Sequence, residues 1–181
     1  MTAPAATSTL WTIDETHSLL EFAVKHMMIT TVKGRFGKVA GTVTIPDGNI
    51  AKASVNATIE TASIDTRNEQ RDGHLKSPDF FDAEKYPTLT FVSTGVAPAG
   101  EGWTLTGDLT MHGVTKSVTL ALTDGGSGKD PWGNQRRSFW ATGQIDRRDF
   151  GLEWNAALES GGVLVSTDVK LHFEIQLVAQ A

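Results

Sequence analysis

The sequence predicts an all-β domain of about eight antiparallel strands, closed on itself or folded into a sandwich. Three observations carry this. Apolar and polar residues alternate with a period of two along most of the chain, the spacing of strands with one dry and one wet face. Turn formers separate these runs: Pro46-Asp47-Gly48, Pro98-Ala99-Gly100, His112-Gly113 and the glycine-rich stretch from Asp124 to Gly128. Little of the chain has helical spacing, so a sheet with one dry face has to cover that face with itself.

The strands follow in order. Leu20, Phe22, Val24, His26 and Met28 share one face of the first long run. Shorter runs are Val39-Gly41-Val43-Ile45, Val55-Ala57-Ile59 and Leu89-Phe91. Trp103, Leu105, Gly107, Leu109 and Met111 make the next dry face, followed by Val118-Leu120-Leu122 and Phe139-Ala141-Gly143-Ile145. The last run alternates from Val163 through Val165, Val169 and Phe173 to Leu177. At ~3.3 Å per residue it spans roughly 50 Å, so it has to bend or serve two parts of a sheet. Ser63 to Pro87 breaks the pattern. Thr66-Arg67-Asn68-Glu69 has the form of a capping box, and Ser77-Pro78 that of an N-cap with proline at the first helical position. Two short helices are expected, at about 67–75 and 78–82, packed over one barrel end. Residues 1–9 read as a flexible tail and 10–181 as a single domain.

Composition narrows the function. A chain of 181 residues buries a core without covalent staples. The absence of cysteine excludes disulfides, thiolate catalysis and Cys-based metal sites. A formal charge of −5 argues against a generic nucleic-acid grip. No apolar run exceeds three residues, which excludes a transmembrane helix, and Met1 to Leu10 has neither the basic start nor the apolar segment of a secretory signal. The expected compartment is therefore the cytoplasm, or the periplasm or exterior if a signal has been removed.

The dry faces leave two readings open. Gly41, Ala57, Gly107, Ala141 and Gly143 are small where a filled core would place Leu or Ile. They leave room for an elongated, apolar, nearly uncharged cavity suited to a hydrocarbon chain. Glycines also mark corners and bulges around a solid core. Of the five histidines, His17, His26, His74, His112 and His172, no pair has metal-ligand spacing. His26 shares parity with Phe22 and Val24, as a core histidine near a barrel end or the one candidate reactive group inside. There is no Gly-x-Ser-x-Gly. Asp65, Asp72, Asp79 and Asp82 cluster near the helical insert, either as paired carboxylates for glycoside chemistry or as acids that meet helix starts. In Arg71-Asp72-Gly73-His74-Leu75 the Arg71 fork and His74 share a helix face. They either receive a polar head group or tie the insert in place.

These segments together resemble the YceI family, bacterial proteins of lipocalin-like barrel fold that bind polyisoprenoid lipids. The matching pieces are Trp11-Thr12-Ile13-Asp14 with His17-Ser18, Phe22-x-Val24-Lys25-His26-Met27, Val32-Lys33-Gly34-Arg35-Phe36 and Ser63-Ile64-Asp65-Thr66. Then come Arg71-Asp72-x-His74-Leu75-Lys76-Ser77, Phe80-Phe81-Asp82, Tyr86-Pro87-x-Leu89-x-Phe91, Gly107-x-Leu109-Thr110-Met111-His112-Gly113-Val114-Thr115-Lys116 and Arg148-x-Phe150-Gly151. The resemblance implies an all-β, eight-stranded antiparallel lipocalin-like barrel with a short helical insert near its opening. It also implies an amphiphilic isoprenoid, a prenyl diphosphate or isoprenoid quinone, held along the axis for carriage, storage or sensing. It implies no catalytic residue, no metal and no cofactor beyond that lipid, and a possible homodimer.

On this reading Trp11, Phe22, Val24, Val43, Ile59, Phe91, Trp103, Leu105, Leu109, Leu120, Phe139 and Val165 contact the tail. Arg71 and His74, with His17 and His26, are the head-group candidates. The alternatives are an enzyme acting on a lipid-like substrate through His26, and a ligand-free β module that acts through its surface, as in a stress response.

Overall fold

The computed structural model describes residues 9–181. The expected tail at 1–9 therefore lies outside the described residues save for Thr9, whose carbonyl accepts from the Ile45 amide at 2.7 Å. Strands β1 (Leu10–Ile13) and β2 (Leu19–His26) are two halves of one bent strand, broken by a 3-10 turn at Glu15–His17. β3 (Thr30–Phe36) returns along β2 and runs on into β4 (Val39–Thr44), which pairs with β1. β5 (Ser54–Glu60) pairs with β4, and its continuation β6 (Ile64–Asp65) pairs with the end of β3. A meander follows: β7 (Thr88–Ala99), β8 (Gly102–Met111), β9 (Val114–Lys129), β10 (Gln135–Asp146) and β11 (Asp168–Ala179). β11 pairs with β1 through Trp11↔Ala179 and Ile13↔Leu177, which shuts the ring. The result is a closed eight-stranded antiparallel barrel, as expected; the first dry face ends at His26, because Met28 falls in the exposed turn between β2 and β3.

Three local expectations are corrected. One helix forms rather than two: α1 (Glu69–Lys76). Its N-cap is Asn68, whose side chain accepts from the Arg71 amide at 2.9 Å, and not Thr66. The helix expected at 78–82 does not form and 78–81 are turn: Ser77 ends α1, its Oγ donating to the His74 carbonyl at 2.6 Å and accepting from the Asp79 amide at 3.3 Å. The last strand begins at Asp168 and not at Val163. Gly161 and Gly162, both at positive φ, fold the preceding chain back, so that Val163 and Val165 make only isolated bridges, to Ala157 and His26.

The glycines also act otherwise than expected. A Cβ at Gly107 would collide with the Phe91 ring, one at Gly143 with Leu120, and one at Gly41 with the backbone of Asn56. These positions seat a neighbour instead of leaving space.

The two barrel ends differ. At the first, Trp11, Val43, Ile45, Ile50, Phe139 and Leu177 pack into a buried plug. At the other, α1, the turn after it and the segment 147–167 form a cover that buries Phe80, Phe150 and Leu152. Arg147 holds this cover from inside. It is 4% exposed and donates to four carbonyls: Ser166 from Nε at 3.0 Å, Leu152 and Trp154 from Nη1 at 2.7 and 2.9 Å, and Val165 from Nη2 at 3.3 Å. Burial draws its guanidinium below the ordinary arginine value, with partial relief from Asp146. His112 Nδ1, 3.0 Å from the Phe150 carbonyl, ties the β8–β9 turn to the same cover.

Outside the wall near the plug, Arg136 joins two acids. Its Nη1 lies 2.6 Å from Asp14 and its Nε 2.8 Å from Asp130, so the β9–β10 loop is pinned to the end of β1. Burial pushes the Asp14 carboxyl up, but hydrogen bonds from Thr16, His17 and Arg136 prevail and hold it well below the usual range. The Arg136 hydrogen bond does the same for Asp130 against a smaller opposing effect of burial.

Two outcomes are expected. Arg147→Met removes the guanidinium from the carbonyls of Ser166, Leu152 and Trp154 at ~1–3 kcal/mol each, while that of Val165 keeps Asn155 Nδ2 at 2.7 Å, so urea unfolding should show a loss of at least ~3 kcal/mol. A loss below ~1 kcal/mol would mean that water replaces the guanidinium. The second concerns acid. Because both carboxyls are depressed in the folded chain, their contribution is full above the ordinary carboxylate range near ~4 and is lost as pH falls through the folded values. The gap in urea midpoint between wild type and Arg136→Met should therefore be wider at pH 7 than at pH 3. An equal gap would remove the two acids from the account.

Candidate functional site

The closed wall encloses a cavity of about 420 Å³, within the range of small-molecule sites. Its sides are carbon. Phe22 and Val24 of β2, Val43 of β4, Ile59 of β5 and Phe91 of β7 line it, with Leu105 and Leu109 of β8, Leu120 of β9, Phe139 of β10 and Val165 of the cover. The alternation of each strand explains all of these but Val165, since they share the inward parity of their strands.

Two residues expected among them are elsewhere. Trp11 is 4% exposed but belongs to the plug, packed with Ile45, Ile50 and Leu177; those three line the cavity and Trp11 does not. Trp103 is half-buried against the same plug. Both have inward parity. Both pack among inward side chains of other strands, an arrangement that parity does not encode.

The polar lining is confined to the covered end: His26, Thr66, Arg71, His74 and Arg147. Among the described residues no Asp or Glu lines the cavity. Arg71 is exposed, and part of it reaches inward. Its Nε donates to Thr66 Oγ1 at 2.7 Å and its Nη2 to the Thr66 carbonyl at 2.7 Å. Asp72 completes the tie, accepting from the Thr66 amide at 2.9 Å and hydroxyl at 2.6 Å. Arg71 thus fastens the β6–α1 turn with one edge of its fork, while Nη1 stands outside both bonds. His74 sits 2.9 Å through Nε2 from Asp79 and packs nearly perpendicular to the rings of Trp154 and Phe80, with centroids at 4.7 and 5.1 Å. His26 is half-buried at the end of β2 and pairs with Val165.

His17 is not part of this group. It lies in the 3-10 turn outside the barrel, its side chain 61% exposed and its Nδ1 2.8 Å from Asp14. The break between β1 and β2 carries it out of the wall.

Thr66 and Arg147 went unmarked in the sequence. Thr66 reads as a helix cap. Arg147, beside Arg148-x-Phe150-Gly151, carries no local signal, because the carbonyls that receive it come from residues 152 to 166 and meet only when that segment folds back. The acids near the insert are bound locally: Asp72 to Thr66, Asp79 to His74, and Asp65 to the Arg67 amide and the Arg35 guanidinium. Among the described residues no cluster of three His, Asp or Glu side chains is placed to hold a metal.

The site therefore has an apolar floor, apolar walls and a polar rim rich in donors. It can hold a long apolar chain with one polar end, head toward α1.

Comparison with known proteins agrees with this geometry. Residues 11–177 match the model of the YceI-like domain. Protein YceI of Escherichia coli (strain UMN026) is 43% identical over 137 residues, covering 76% of this chain and 72% of that protein. A UPF0312 protein of Vibrio vulnificus (strain YJ016) is 39% identical over 159 residues, 87% of this chain and 81% of the relative. Among solved structures, BcnA of Burkholderia cenocepacia superposes with a TM-score of 0.78 at 27% identity, over 91% of this chain and 98% of that one. The YceI protein of Campylobacter jejuni gives 0.74 at 32% identity, over 87% and 90%. A barrel enclosing one apolar cavity with its polar groups at the helical end, matched in sequence from β1 to β11, makes this chain a member of the YceI-like family.

Proposed function

We propose that this protein binds an amphiphilic polyisoprenoid lipid, its tail in the barrel and its head group at the α1 rim. One observation carries the reading: every polar group that lines the cavity lies at one end, and the rest of the lining is hydrocarbon. A uniformly apolar ligand would leave the rim donors unused, and a polar one would be desolvated along the walls. A solved domain from Saccharophagus degradans, described as polyisoprenoid binding, has the same fold with a TM-score of 0.66 at 19% identity, covering 94% of this chain and 98% of that one. That likeness supports a barrel able to take such a chain.

Phe22, Val24, Val43, Ile59, Phe91, Leu105, Leu109, Leu120, Phe139 and Val165 contact the tail. Burial of apolar surface drives association at about 25 cal/mol per Å², reduced by the cost of ordering the chain. Arg71 Nη1, His74 and His26 meet the head. With guanidinium and imidazole groups on the rim and no carboxylate in the lining, the fitting head groups are rich in acceptors, as in a prenyl diphosphate or an isoprenoid quinone. The protein holds and releases this lipid without turnover, as a carrier, store or sensor.

Native mass spectrometry of gently purified protein, followed by organic extraction, tests this. The expected result is one bound lipid whose mass is built from isoprene repeats. Ala141, which lines the cavity at 6% exposure, provides the second arm. Ala141→Phe should lower lipid content at least ~5-fold while the protein stays folded by circular dichroism. Wild-type protein that stays empty after incubation with both prenyl lipid types would overturn the reading.

A further inference from the structure

The turn between β2 and β3 projects from the covered end. Its residues are Met27, Met28 and Ile29, which are 43%, 59% and 78% exposed. The Ile29 amide donates to the His26 carbonyl at 3.1 Å, closing a tight turn with Met27 and Met28 at its centre. Met27 and Met28 both have positive φ, 52° and 63°. This is the type I′ geometry, which favours Asn-Gly because large side chains are strained there. The turn therefore presents three large apolar side chains in a row, two of them on strained backbone.

Its position is as informative as its composition. Two lining residues flank it: His26 precedes Met27, and the Met27 amide donates to the carbonyl of Leu164 at 2.7 Å. The tip thus stands just beyond the cavity rim that carries the polar groups. Behind it lie Lys25 and Lys33, both exposed. Lys33 meets Glu21 at 3.1 Å, while the Lys25 ammonium donates to the Thr31 hydroxyl at 2.7 Å.

A tip of three residues is too small for a stable protein interface, which buries about 800 Å² on each partner. It has the shape and chemistry of a bilayer anchor, where a few apolar side chains enter the acyl boundary and nearby lysines reach the lipid phosphates. We propose that Met27-Met28-Ile29 inserts into a lipid bilayer bearing anionic headgroups and sets the cavity rim against that surface, so that the lipid ligand passes between membrane and barrel without crossing water. The exchange half of this proposal rests on the lipid-binding reading above; the docking half does not.

The double substitution Met27→Asn with Met28→Gly separates the two. It keeps the type I′ turn and relieves its strain, so the variant should fold at least as stably as wild type. The experiment is co-sedimentation of the full chain with vesicles of phosphatidylcholine alone and of phosphatidylcholine with phosphatidylglycerol. Wild type should bind the mixed vesicles more strongly, and the double variant should lose at least ~10-fold of that binding. Transfer of a fluorescent prenyl lipid from these vesicles should slow by a similar factor, with lipid occupancy at equilibrium unchanged by native mass spectrometry. Wild type that ignores both vesicle types, or a double variant that binds them as wild type does, would overturn the proposal. Vesicle binding that depends on the tip, in a protein whose cavity takes up no lipid, would uphold the docking and overturn the lipid-binding reading alone.

Discussion

Closure of the ring by the short ladder between β1 and β11 is the constraint on which the rest depends. Trp11 pairs with Val43 on one side and with Ala179 on the other, so a strand of four residues joins the first and last parts of the chain. Without it the wall would present two open edges and its dry face would meet water. With it, one side of every strand is removed from solvent at once. The ion pairs of Arg136 with Asp14 and Asp130 reinforce this seam from outside, just past the end of β1. Closure also creates the cavity, because an inward face shared by eight strands encloses a space that the side chains fill at one end only.

That end difference gives the barrel a direction. The plug around Trp11 and Phe139 consumes the volume at the first end with aromatic and branched side chains. At the other end the wall between β3 and β7 is completed by α1 and the turn after it, and segment 147–167 folds over the top. Loop and helix backbone brings polar atoms that must be satisfied. Arg147 does this from within for four carbonyls, and Arg71 does it at the rim for Thr66. The donors of the cavity rim are thus the same groups that hold the cover in place. A head group at Arg71 would contact the β6–α1 turn directly, coupling occupancy to the order of the cover.

Much of the wall was legible in the sequence. Period-two alternation assigned inward faces correctly for Phe22, Val43, Ile59, Leu105 and Leu120, because parity is a local property of extended backbone. The same rule points Trp11 and Trp103 inward, yet both pack in the plug and neither lines the cavity, because parity does not encode which side chains of other strands surround them. Helix signals near 66 to 78 were real but ambiguous. By pattern Ser77 and Thr66 cap helices that follow them, whereas in the fold Ser77 closes the preceding helix and the Thr66 hydroxyl is taken by Arg71 and Asp72. Small residues at Gly41, Gly107 and Gly143 suggested empty volume, while a neighbouring ring, methyl or backbone occupies each position.

The sequence by itself determined the all-β class, the strands, the inward faces and the family, all of which depend on spacing between residues close in the chain or on ordered motifs. Tertiary structure alone decided where the cavity begins and ends, that His17 lies outside it, and that Arg147 is buried among carbonyls from a segment up to nineteen residues away. Those features arise from which strands become neighbours and how far each is staggered. Stagger is set by the closing of the ring as a whole, and no local stretch of chain encodes it.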